Sequence, residues 1–76
     1  MTTYNGHKNW NHWNVSLWIN NDERLYFIAQ YCIQVASDRP HAVMFFQREL
    51  TKQGITHTPD GAPYSALSNR AAMVGM

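Results

Sequence analysis

The run Asn9-Trp10-Asn11-His12-Trp13-Asn14-Val15-Ser16-Leu17-Trp18-Ile19-Asn20-Asn21-Asp22 decides the fold. It holds all three tryptophans of the chain and surrounds them with asparagines. Tryptophan is large and apolar but carries an N–H that needs a partner when buried. Asparagine brings two donors and an acceptor. Two periods compete here. Trp13, Val15, Leu17 and Ile19 alternate with Asn14, Ser16, Trp18 and Asn20 as on a strand. Trp10, Trp13, Leu17 and the Val15/Trp18 pair fall on two adjoining helical faces. No second strand-like segment exists to pair with it, and a lone strand leaves its ladder unsatisfied. The run therefore reads as a helix, about Trp10 to Ile19, with Asn9 as its N-cap. Trp13 and Leu17 are expected inside, with Trp10, Asn14 and Trp18 at the rim.

Outward from this run the pattern stays helical. Thr3-Tyr4-Asn5-Gly6 reads as a turn. A second helix is capped by Asn20 or Asn21, with Asp22 and Glu23 in its first turn. Leu25, Ile28, Ala29, Cys32, Ile33 and Ala36 form its buried stripe. Tyr26, Phe27 and Tyr31 widen the apolar surface, which makes this helix central or part of an interface. Asp38 caps a third helix from Arg39 to Gln53, with Pro40 tolerated in the first turn. Val43, Phe46 and Leu50 face inward with Ala42 and Phe45 alongside, and Gly54 sits at C′. Residues 55–63 form a loop dense in turn residues. A last helix runs from Pro63 to Met73, with Tyr64, Leu67, Ala71 and Val74 on one side and Gly75 closing it. The expected fold class is all-α: one small domain, residues 1–76, built as a bundle or cluster of about four short helices.

Composition bounds the function. A chain of 76 residues buries only about 60% of its unfolded surface, so its core is marginal. Cys32 is the single cysteine, which rules out an internal disulfide and reads as a buried small hydrophobe. Net charge is +1 with 14% charged residues, which argues against a phosphate-tracking nucleic-acid binder. No apolar stretch reaches membrane-spanning length. A soluble protein of the cytoplasm is expected, its neutral surface closed by self-association or by a partner.

No constellation points to catalysis. His7, His12, His41 and His57 lack metal-ligand spacing. The carboxylates read as caps and loop residues, no glycine-rich phosphate loop occurs, and no cofactor is expected. Two features remain as candidate binding surfaces. Asn9, Trp10, Asn14 and Trp18 combine aromatic faces with amides, suited to a protein hot spot or to stacking on a base. Arg48 and Lys52, i and i+4 on the third helix, could receive an anion or an acidic partner.

The run from Tyr4 to Asp22 is similar to a pattern, N-G-x-x-N-[YW]-x-x-W-N-V-x-L-W-I-x-N-[DE], of a family of small uncharacterised phage and plasmid proteins. Asn5, Gly6, Asn9, Trp10, Trp13, Asn14, Val15, Leu17, Trp18, Ile19, Asn21 and Asp22 carry the resemblance. His12 departs from it, standing where an acidic or small residue is expected. The resemblance implies no activity. It implies a context, the accessory proteins that act on a bacterial host. The leading expectation is a non-catalytic protein that binds and inhibits a host macromolecule, a defence component. The alternative is an oligomeric sponge for a nucleotide-type signal.

Overall fold

The computed structural model describes residues 9–74. It contains four helices, α1 (Trp10–Asn21), α2 (Glu23–Val35), α3 (Arg39–Lys52) and α4 (Ala66–Met73). No strand occurs among the described residues; the one β-bridge joins His57 to Pro63. The all-α expectation holds. The turn expected at residues 3–6 and the closure at Gly75 lie outside the described residues.

Local chemistry explains the boundaries. Asn9 is the N-cap of α1, its side chain accepting from the His12 N–H at 2.9 Å. Asp38 caps α3 in the same way, accepting from the His41 N–H at 2.9 Å, with Pro40 in the first turn. The α1–α2 junction corrects the sequence reading. α1 continues to Asn21, and Asp22, not Asn20 or Asn21, caps α2. One residue serves both helices there. Its N–H closes α1 onto the Trp18 carbonyl at 2.9 Å, and its carboxylate accepts from the Arg24 and Leu25 N–H groups. α3 ends in a Schellman motif: Gly54 N–H reaches Thr51 O at 3.0 Å and Ile55 N–H reaches Leu50 O at 2.9 Å. Gly54 has φ +71°, a conformation costly for any residue with a Cβ.

The helices form a ring in which α1 packs on α2 and α4, and α3 packs on α2 and α4. α2 and α3 are an antiparallel hairpin; Arg24 at the start of α2 donates to Gln53 Oε1 at the end of α3, 2.7 Å away. The core comprises Val15 and Ile19 of α1, Leu25, Ala29 and Cys32 of α2, and Ala42, Val43, Phe46 and Leu50 of α3. Ala62, Tyr64, Ala72 and Met73 complete it.

Two expectations fail in an informative way. First, no tryptophan belongs to the core: Trp10 is 37% exposed, and Trp13 and Trp18 are half-buried. Leu17, expected inside, is exposed, whereas Asn14, expected at the rim, is only 1% exposed. Second, α4 begins at Ala66 with Ser65 as cap, and its buried side is Ser68, Asn69, Ala72 and Met73. Leu67 and Val74, expected inward, stand in solvent. Asn69 can be buried because its Nδ2 donates to Gln47 Oε1 at 3.1 Å and to the Tyr64 carbonyl at 3.3 Å. Ser68 and Ala72, short on that face, let α4 lie against both α1 and α3. Bulky Leu67 on the same side would not fit such close neighbours.

Candidate partner-binding groove

On α2 the core positions Leu25, Ala29 and Cys32 turn inward. Phe27 lies about 200° around the helix from Leu25 at the α-helical repeat, and therefore faces away. Tyr31 and Val35 follow at i+4 and i+8 and continue the same ridge. Phe27 is 71% exposed, Tyr31 58% and Val35 53%. Between this ridge and α3 runs a groove of about 360 Å³. Its floor includes Ile28 and Cys32, and Phe45, Arg48, Glu49 and Lys52 form the far wall.

The charged wall is only loosely tied. Lys52 Nζ stands 3.9 Å from Glu49 Oε2, with the lysine side chain 75% exposed, so the pair contributes little. Arg48 is exposed and makes no hydrogen bond or ion pair among the described residues. An unpaired guanidinium beside exposed aromatic surface can take a carboxylate in bidentate fashion. Burial, and secondarily the charge of Glu49, push the Cys32 thiol up, so this cysteine is a packing residue and a poor nucleophile. Among the described residues, no group of three or more histidine, cysteine or carboxylate side chains is placed to hold a metal ion.

The six residues singled out in the sequence separate. Arg48 and Lys52 line the groove. The other four do not. Asn9 is committed to capping α1. Trp10 is exposed at the helix start. Asn14 and Trp18 belong to an internal clamp. Asn14 Oδ1 accepts from the Thr58 hydroxyl. Asn14 Nδ2 and Trp18 Nε1 both donate to Asp60 Oδ2, at 2.8 and 2.9 Å. These two bonds, Asn14 first, hold the Asp60 carboxyl below its ordinary range. Thr58 Oγ1 accepts in turn from the Ala62 N–H at 3.1 Å, and Gly61, φ +97°, turns the loop between them. The asparagine and the tryptophan thus pin the loop between α3 and α4 onto α1.

Sequence reasoning noticed Phe27 and Tyr31 but not Val35. The i, i+4, i+8 spacing of the three was the available signal. Asp60 and Thr58 were read as loop residues, and nothing local marks them, since their partners lie 42 to 46 residues away.

No helix among the described residues is long and apolar enough to cross a membrane. No curated protein matches the chain. No solved structure matches it either. A family model, described as a family of unknown function (DUF7249), matches residues 1–74. With nearly its whole length matched, the chain belongs to this small uncharacterised family.

Proposed function

We propose that this chain is a non-catalytic binding protein whose α2–α3 groove receives an amphipathic helix of a partner protein, with acidic residues of that helix meeting Arg48 and Lys52. The observation that carries this reading is the ridge of Phe27, Tyr31 and Val35 standing in solvent beside Arg48, which makes no hydrogen bond or ion pair among the described residues. A contiguous apolar ridge on a rigid helix is the mark of an interaction surface. Aromatic residues and arginine dominate the energetics of such surfaces. A groove between two helices suits a helical ligand anchored at i, i+3, i+4 and i+7. The non-catalytic part of the reading rests on the placement of Cys32 in the core and on the use of Asp22 and Asp38 as helix caps. That the partner is a bacterial host protein, and that binding inhibits a defence system, rests on the resemblance of residues 4–22 to phage and plasmid proteins.

The test places a photo-crosslinking phenylalanine analogue at Tyr31, and as a control at Leu67, which is also exposed, on α4. The protein crosslinked from position 31 in host cells is purified and titrated against the wild type, Phe27→Ser/Tyr31→Ser and Arg48→Glu/Lys52→Glu. Both double variants should weaken binding by about tenfold or more, and the crosslinked peptide should be helical and acidic. Crosslinks from position 31 only to a second copy of the chain, or unchanged affinity of both variants, overturn the proposal.

A further inference from the structure

A second concavity, of about 290 Å³, lies where α1 meets α2 under the loop that precedes α4. Trp18, Asp22, Arg24, His57, Pro59 and Tyr64 are among the residues lining it. It shares none of the residues that line the α2–α3 groove. Three observations distinguish it from an ordinary surface crevice.

Tyr64 is only 5% exposed, and its hydroxyl, which makes no hydrogen bond among the described residues, keeps some accessible surface on the concavity. Burial, and then the charge of Asp22, raise its pKa, so it is held as a donor. Next, the polar groups around it are half-used. Arg24 commits Nη2 to Gln53, and other guanidinium N–H groups remain. Asp22 commits Oδ1 to two backbone N–H groups, and Oδ2 accepts no hydrogen bond among the described residues. Finally, the flat walls are rigid. Trp18 is fixed through its indole N–H to Asp60, and Pro59 sits between Thr58 and Asp60, both bonded to Asn14.

A planar surface beside two donors and one acceptor matches the edge of a nucleobase rather than a phosphate, because Asp22 and Asp60 would repel an anion there. Guanine fits the set: arginine and hydroxyl donors suit its O6 and N7 acceptors, and a carboxylate suits its ring and exocyclic N–H donors. We propose that this concavity is a site for an uncharged guanine-type base, stacked against Trp18 and read by Asp22, Arg24 and Tyr64. The site is independent of the groove and of its partner.

Guanosine is the probe, added to the intact ¹⁵N-labelled chain. The Trp18 indole N–H resonance, assigned with Trp18→Phe, should move saturably. Tyr64→Phe keeps the ring in the core and should weaken binding by about tenfold, the worth of one good hydrogen bond. Should that variant unfold in urea too early to titrate, Arg24→Gln, at an exposed position, serves the same purpose. Phe27→Ser, in the groove, should leave guanosine binding unchanged, and adenosine should bind at least about tenfold more weakly. A guanine-containing single-stranded oligonucleotide that binds tighter than guanosine identifies nucleic acid as the source of the base; equal or weaker binding identifies the free nucleoside. The absence of a saturable shift up to the solubility limit of guanosine overturns the proposal. So does equal binding of adenosine, or unchanged affinity in the Tyr64 and Arg24 variants.

Discussion

The α1–loop face and the α2–α3 face invert the usual arrangement in opposite senses. On the first, polar side chains are inside: Asn14, Thr58, Ser68 and Asn69 are each at most 4% exposed. On the second, large apolar side chains are outside, with Phe27, Tyr31 and Val35 more than half exposed. Each departure has its own physical consequence. A buried amide needs partners inside: Asn14 has them at both ends, whereas Asn69 ties Gln47 and the Tyr64 carbonyl through Nδ2 and leaves its buried Oδ1 without a hydrogen bond among the described residues. An exposed aromatic ridge gains nothing from the monomer's own fold, so it is left available for a partner. Polarity in the sequence therefore misleads on both faces, and accessibility decides which residues build and which bind.

The sharpest way to break this contrast is to truncate one phenylalanine from each side of it. Phe46→Ala removes a ring that is fully buried. It should cost about 3–5 kcal/mol, a large share of the stability of so small a domain, and leave it largely unfolded by circular dichroism. Phe27→Ala should change stability by no more than about 0.5 kcal/mol in urea titration. If Phe27→Ala were as damaging as Phe46→Ala, the ridge would be core and the groove reading would fail.

On the polar side, Asn14→Ala removes two bonds from the clamp and leaves the Thr58 hydroxyl without its acceptor. A loss of about 1–3 kcal/mol is expected, with faster amide exchange in residues 58–62. Asn20 is exposed and bonds only within its own helix, so Asn20→Ala should be close to neutral in the same titration. Equal effects at the two asparagines would remove the distinction between tie and surface.

A smaller effect tests the shared cap. Asp22→Ala should cost about 1 kcal/mol, measured as a shift of the urea midpoint, because α2 loses the acceptor for two N–H groups.

The smallest expected effect is a pH dependence. The folded protein holds the carboxyl groups of Asp60 and Asp38 below their ordinary range, through the bonds from Asn14 and Trp18 and from His41 respectively. Their stabilisation is present above the unfolded carboxyl pKa, near 4, and is lost as pH falls through the lower folded values. Stability should therefore decline below about pH 4, and Asp60→Asn should flatten part of that slope. An unchanged slope in Asp60→Asn would mean that the clamp does not depend on the charge.

Much of the fold was legible because its signals are local. Asn9, Asp38 and Gly54 each act within a few residues of their own position, so the caps of α1 and α3 and the end of α3 could be read directly. The apolar period placed Leu25, Ala29 and Cys32, and Val43, Phe46 and Leu50, on the inner faces where they lie. Of the candidate site, Arg48 and Lys52 were legible as an i, i+4 cationic pair, though not as one wall of a groove whose other wall is α2. The tryptophans were misread because their size favours burial, whereas at the end of a ring of four short helices the space closes around smaller Val15 and Ile19. The cap of α2 was misplaced by one or two residues because Asp22 can serve either as a first-turn acid or as the cap itself.

The sequence by itself determined that this chain is helical, with three of its four helices in place, because hydrogen bonds at helix ends and the 3.6-residue period are decided within a few residues. Only the tertiary structure decided which polar groups could go inside and which apolar ones stayed out. Burying Asn14 requires Thr58 and Asp60 from a loop more than forty residues away, and burying Asn69 requires Gln47 and the Tyr64 carbonyl. A hydrogen-bond partner supplied from so far along the chain leaves no trace in local pattern, and its presence reverses the sign of the burial energy.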